Sequence, residues 1–134
     1  MENKTLLHRQ INPSFVVNDF VSNQAFYENE IFISSGAFNP SEKDKDKLSV
    51  YNGDKFTPES SFNHFKKQYD SYGVLSLSIE EIELIEPLKT IEDNDPFDGH
   101  CYIDFAEIVS KNQKSKRAGK LRDFAEKRGW TFKP

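Results

Sequence analysis

An α+β fold, with a mainly antiparallel sheet of about five or six strands and about three helices packed mostly on one face, is what this sequence predicts. Three observations carry that expectation. Short stretches of alternating polarity are separated by turn residues. Helical spacing of apolar residues shows in three places, after Thr57, after Ser78 and towards the C-terminus. No strand–helix–strand run carries a glycine-rich loop, which excludes a dinucleotide-binding doubly wound sheet. The 134 residues form one domain, and twelve Phe, five Tyr and one Trp supply a core suited to a sheet with helices packed on it.

Residues 5–11 alternate as a strand, with Leu6, His8 and Gln10 on one side and Leu7, Arg9 and Ile11 on the other. Pro13 ends it, and Phe15-Val16-Val17 is a second short extended run. Residues 21–26 (VSNQAF) are then echoed by 33–38 (ISSGAF), with Glu30 and Glu42 at the same offset. Two hairpin strands or a short tandem duplication would each produce the echo, and so would chance on a strand-like pattern. Residues 39–47 (NPSEKDKDK) read as a loop, 48–51 as a strand, and Asn52-Gly53 as a turn. Thr57 and Pro58 open a helix whose stripe is Phe62, Phe65 and Tyr69, stopped by Gly73. Residues 74–77 form a strand. Ser78 and Glu81 have capping-box spacing for a short helix bearing Ile79, Ile82 and Ile85, ended by Pro87. Residues 88–91 form a strand, 92–99 an acidic turn, and 101–105 a strand with Cys101, Ile103 and Phe105 on one face. The last helix spans 112–128, with a narrow stripe of Ala118, Leu121, Phe124 and Ala125. Gly129 follows as its natural terminator, and Trp130 and Phe132 then alternate as a final strand or clamp.

Charge is segregated. Residues 110–134 hold nine Lys/Arg against two acids, whereas residues 70–109 hold eleven acids against Lys89 alone. The net charge of −4 and pI near 5.4 hide this division and argue against non-specific nucleic-acid binding by the whole molecule. Lys116, Arg117, Lys120, Arg122, Lys127 and Arg128 cover most of the last helix away from Leu121. Either that helix docks onto the acidic middle, or it offers a contact surface to an acidic protein or, second, to a nucleic-acid backbone. A single cysteine, no secretory signal and no bilayer-length apolar run predict a soluble cytoplasmic protein with no membrane partner.

Arg9 is the oddest residue, because it shares a strand face with Leu7 and Ile11. A buried guanidinium requires a carboxylate or a bound anion. A structural ion pair is the first expectation, recognition of a ligand phosphate the second, and exposure at a sheet edge the third. His8, beside Gln10, is expected to be a surface or hydrogen-bonded histidine, with catalysis as its alternative. His100 falls on one side of its strand with Tyr102 and Asp104. That side faces solvent, or, if another layer covers it, forms a polar site for proton transfer or ligand binding. His64 is expected to be structural or exposed.

The spacing of the three histidines and one cysteine fits no zinc site, and Asp93, Asp95 and Asp98 lack the glycine and the fifth ligand of a calcium loop. Ser34-Ser35-Gly36 is not a nucleophile elbow, and Cys101 reads as an inert core thiol. The sequence therefore assigns no cofactor and no metal.

The strings LHRQI at 7–11, SGAFNP at 35–40, LSVY at 48–51 and HCYIDF at 100–105 resemble a family of short, uncharacterised bacterial proteins. That resemblance implies a small stand-alone domain, with residues 20–32 as an insertion. The layout is also similar to the NAD-binding arrangement of ADP-ribosyltransferase-like toxins and RNA phosphotransferases. This second resemblance implies roles for His8 or Arg9, for Ser34 or Ser35, and for Tyr51 as a stacking residue. Two functions remain in view: an accessory or regulatory protein that binds a macromolecular partner through its basic helix, and a small transferase or hydrolase acting on an NAD-like or phosphorylated ligand. In the second, Arg9 would hold the anion and His8 or His100 would handle protons. A cavity in which Arg9 meets one of those histidines would favour it.

Overall fold

Strand β1 (Leu6–Ile11) lies one place in from the edge of a five-stranded sheet. The computed structural model describes residues 1–17 and 32–134. The other strands of this sheet are β4 (Lys47–Asn52), β5 (Gly73–Ser78), β6 (Lys89–Ile91) and β7 (His100–Asp104), in the spatial order β5-β1-β4-β7-β6. Every neighbouring pair is antiparallel. A separate small ribbon pairs β2 (Val16–Val17) with β3 (Phe32–Ile33). Among the described residues there are three α-helices: α1 (Pro58–Phe65), α2 (Ile79–Glu83) and α3 (Lys111–Arg128). None of them is long and apolar enough to cross a membrane. The α+β architecture is the one that alternation and turn chemistry predicted.

Because facing residues of antiparallel strands share a face, the register defines two very different surfaces. One carries Leu7, Leu75, Leu77, Leu48, Val50, Cys101 and Ile103, all buried. It packs on Ile82 of α2, on Ala118, Leu121 and Ala125 of α3, and on Ala37 and Phe38. The other face carries His8, Gln10, Ser76, Ser49, Tyr51 and His100. Helix α1 covers part of it, Ser61 accepting from Gln10 and His64 bonding Tyr51. Two helices thus sit on the apolar face and one on the polar face.

Local chemistry sets most boundaries. Asn12 caps a 3-10 helix at Pro13–Phe15, which ends β1. Thr57 and Ser60 form a capping box with Pro58 in the first turn of α1, and Ser78 and Glu81 do the same for α2. Gly129, at φ 88°, terminates α3. Two differences from the sequence reading have physical causes. Helix α1 stops at Phe65 instead of running towards Gly73: the chain must turn back into β5, and Tyr72 N–H donates to Ile11 C=O at 2.7 Å. Tyr69 is consequently 62% exposed. The ISSGAF segment is strand only at Ile33, the end of β3, because Ser34 caps a 3-10 helix over Ser35–Phe38; its echo at 21–26, and the insertion at 20–32 but for Phe32, lie outside the described residues. The tail forms a clamp on β5, where Val74 N–H donates to Phe132 C=O at 2.8 Å and Thr131 N–H to Val74 C=O at 2.9 Å.

Candidate functional site

The β1–β4 ladder is formed at Leu7–Asn52 and His8–Tyr51 and goes no further. The Arg9 guanidinium occupies the fork beyond. Its Nη1 donates to the carbonyl oxygen of Ser49 at 2.9 Å and its Nε to that of Ala37 at 2.9 Å. Two backbone carbonyls, and no carboxylate of the described residues, therefore hold the group that sequence reasoning expected in an ion pair. Burial pushes Arg9 down to about 10, opposed by the charge of Asp44, so it stays cationic at neutral pH. Its Nη2 donates to no described residue.

Arg9 borders a cavity of about 520 Å³ between α1 and the polar sheet face, a size suited to a small ligand. Ser49, Tyr51, His64, Phe97 and His100 line it as well, and the exposed Lys67 and Tyr69 reach it from the chain after α1. The Tyr51 hydroxyl lies 2.9 Å from Nδ1 of His64, and burial pushes its phenol up to about 12, which keeps it protonated. Phe97 packs edge-on against His100, with ring centroids 5.4 Å apart, and lies 4.5 Å from His64.

His100 is held at both nitrogens. Nδ1 lies 2.7 Å from Oδ1 of Asp93, and Nε2 lies 3.1 Å from Oγ of Ser49. A carboxylate only accepts, so Nδ1 carries the proton, and in the neutral imidazole Nε2 is the nitrogen left to accept from the Ser49 hydroxyl. The acidic turn places Asp93 there by folding back: Asn94 N–H donates to His100 C=O at 3.0 Å and His100 N–H to Phe97 C=O at 3.1 Å.

The other histidine of the same face is sealed. His8 is 2% exposed, with Nδ1 2.7 Å from Ser76 Oγ and Nε2 3.1 Å from the Phe56 carbonyl. The carbonyl requires a proton on Nε2, so His8 accepts from Ser76, which also contacts Thr131 Oγ1 at 2.8 Å. Desolvation lowers the His8 pKa, which keeps the ring neutral. His8 does not line the cavity.

The remaining candidates are dispersed. Tyr102 and Asp104 share the face of His100, as alternation required, but lie beyond the cavity; Tyr102 stacks under the Lys47 ammonium at 5.0 Å and Asp104 accepts from Ala106 N–H at 2.9 Å. Ser34 and Ser35 belong to the 3-10 helix whose Ala37 and Phe38 enter the apolar core, also away from the cavity. Of the residues implied by the transferase-like resemblance, Arg9 and Tyr51 line the cavity and His8, Ser34 and Ser35 do not. Sequence reasoning gave no role to Ser49, His64 or Asp93. The seven-residue separation of Asp93 and His100 across a turn was a usable signal; the diagonal pairing of His100 with Ser49 depends on the β4–β7 register.

The basic helix is partly engaged by the rest of the chain, and Lys114 pairs with Asp46. Arg128 pairs with Glu81 at 2.7 Å and donates to the Ser76 carbonyl at 2.9 Å, Arg117 donates to the Glu86 carbonyl at 3.2 Å, and Arg122 contacts Asp123 and Glu126 of its own helix. Lys116, Lys120 and Lys127, spaced by four and seven, form one stripe that engages no described residue. No protein-family model, no curated protein and no solved structure matches this chain.

Proposed function

We propose that this chain binds a small phosphorylated ligand in the cleft between α1 and the sheet and acts on it as a transferase or hydrolase. Arg9 holds the anionic group and His100 moves protons. The observation that carries this reading is the convergence of Arg9 and His100 on one cavity. A cationic fork whose backbone is already tied down loses little entropy on meeting an anion. The aromatic walls from Tyr51, Phe97 and Tyr69 suit a ring carried by the same ligand, as in a nucleotide. Titration with inorganic phosphate, AMP and ADP-ribose, followed by amide chemical shifts, tests it. AMP or ADP-ribose is expected to shift residues around Arg9 and His100, with affinity lost in Arg9→Gln and reduced in Tyr69→Ala. No shift with any of the three would count against the reading.

The stripe of Lys116, Lys120 and Lys127 supports a second reading, in which α3 contacts an acidic protein surface. Charge reversal of all three to Glu leaves the described ion pairs intact. It is expected to abolish capture of a partner from the native host while melting is unchanged. Retention of nucleic acid in place of protein would redirect this reading to a phosphate backbone.

A further inference from the structure

We infer that Ser49 is a nucleophile, activated by His100 as general base, and that the cleft cleaves a carboxylic ester of an anionic small molecule. The inference rests on the cleft being a ligand site. Two serine–histidine contacts lie on the same sheet face. Ser76–His8 is closed: Ser76 is 0% and His8 2% exposed, and His8 does not line the cleft. Ser49–His100 is open, since Ser49 is exposed and both line the cavity. Only the open pair has a carboxylate behind its imidazole, Asp93 at 2.7 Å. Nucleophile, base and orienting acid thus occur in order, each within hydrogen-bond reach of the next. The Arg9 guanidinium is bonded to the backbone carbonyl of Ser49, and both residues line the same cavity, so an anion held at Arg9 shares that cavity with the Ser49 hydroxyl.

The step balances without a further cofactor. Ser49 Oγ attacks the ester carbonyl carbon while its proton passes to His100 Nε2. Collapse of the tetrahedral adduct breaks the ester C–O bond, and the leaving alcohol takes that proton from His100. Water then attacks the acyl-Ser49, gives its proton through His100 to the serine oxygen, and releases the carboxylic acid. Asp93 touches no reacting atom; it is a positioning residue that fixes the Nδ1–H form of His100.

An alkyl fluorophosphonate tests this on the full chain. Attack by Ser49 forms an O–P bond and expels fluoride, leaving a mass increment that peptide mapping locates. Labelling is expected at Ser49 and not at Ser76, to vanish in Ser49→Ala, and to slow at least about 100-fold in His100→Gln. Asp93→Asn, an exposed position, is expected to slow labelling with no change in melting temperature, which a purely structural role would not produce. An unlabelled native chain, or equal labelling in Asp93→Asn and wild type, overturns the inference. AMP titration of the same sample separates the two proposals. Retained AMP binding without labelling removes the nucleophile and leaves the ligand site, whereas labelling without AMP or ADP-ribose binding keeps Ser49 and removes the phosphorylated ligand.

Discussion

Arg9 Nη1 donates to the carbonyl oxygen of Ser49 across 2.9 Å at the point where β1 and β4 part company. The guanidinium does there what a strand's N–H would do in a continued ladder. It keeps a second nitrogen on Ala37 and leaves Nη2 without a described partner. One residue thereby joins the fold's apolar side to the cleft on its polar side.

Arg9→Lys is therefore expected to be destabilising although it keeps the charge. A lysine ammonium is a compact point donor and does not span the Ala37 and Ser49 carbonyls with fixed fork geometry. Leaving one of these acceptors unsatisfied costs about 1–3 kcal/mol. Urea unfolding at neutral pH measures it, and a midpoint equal to wild type would show that the fork does not depend on the guanidinium.

His8 makes stability depend on pH. Desolvation holds its folded pKa below the ordinary 6.5, with the Phe56 carbonyl opposing. Between those two values the unfolded chain carries more protons than the folded one. Stability from this group is therefore complete above about pH 6.5 and falls on acidification, by at most about 1.4 kcal/mol per pH unit. Glu81 acts in a lower window. Burial opposes its charge, but Arg128 and the Ser78 contacts prevail and depress its pKa, so its contribution is lost only as pH falls below the ordinary 4.5. Urea melts at pH 7.5 and 5.5 are expected to show a drop that His8→Asn largely removes; an unchanged drop would assign it to other groups.

Elements marked by local chemistry were legible before the fold was known. The capping boxes at Thr57 and Ser78, the terminator Gly129 and the alternation of Cys101 and Ile103 each act within a few residues of themselves. Features that depend on sheet register were not. Nothing adjacent to Arg9 shows that β4 diverges just where a guanidinium is needed, so a carboxylate partner was the natural expectation. Likewise His8 and His100 are both polar-face residues, and only the positions of α1 and the tail decide that one is sealed and the other open. Helix α1 was read too long because Tyr69 keeps helical spacing with Phe65, whereas the return into β5 is a tertiary demand.

Cys101 is expected to be unreactive in the folded state. It is 0% exposed, and burial, with the charges of Glu92 and Asp93, pushes its thiol up to about 12. A thiol-reactive disulfide reagent at pH 8 should modify it only at the rate of unfolding, and fully in denaturant. Rapid modification of native protein would contradict its place beside Val50 in the buried core.

Gly53 reads from the sequence as an ordinary turn glycine, yet its constraint is a close approach. A Cβ there would stand 2.1 Å from the carbonyl oxygen of Leu6 and 3.3 Å from Nε2 of His8. The same carbonyl accepts from Gly53 N–H at 2.8 Å, immediately beside the Leu7–Asn52 pair that anchors β1 to β4. Gly53→Ala must push the turn away from β1, losing this bond and loosening the start of the only ladder that precedes the fork. The expected loss is about 1–3 kcal/mol or more, because the obstructing atom is backbone and has no rotamer to yield. Gly119 is the internal contrast. It sits within α3 with nothing within 4 Å of its would-be Cβ, so Gly119→Ala is expected to stabilise by up to about 1 kcal/mol. Paired urea titrations of the two variants read opposite shifts of midpoint from one substitution type. Equal midpoints would mean that the turn at Gly53 has slack, and that β1 and β4 are not held as closely as the Leu6 carbonyl indicates.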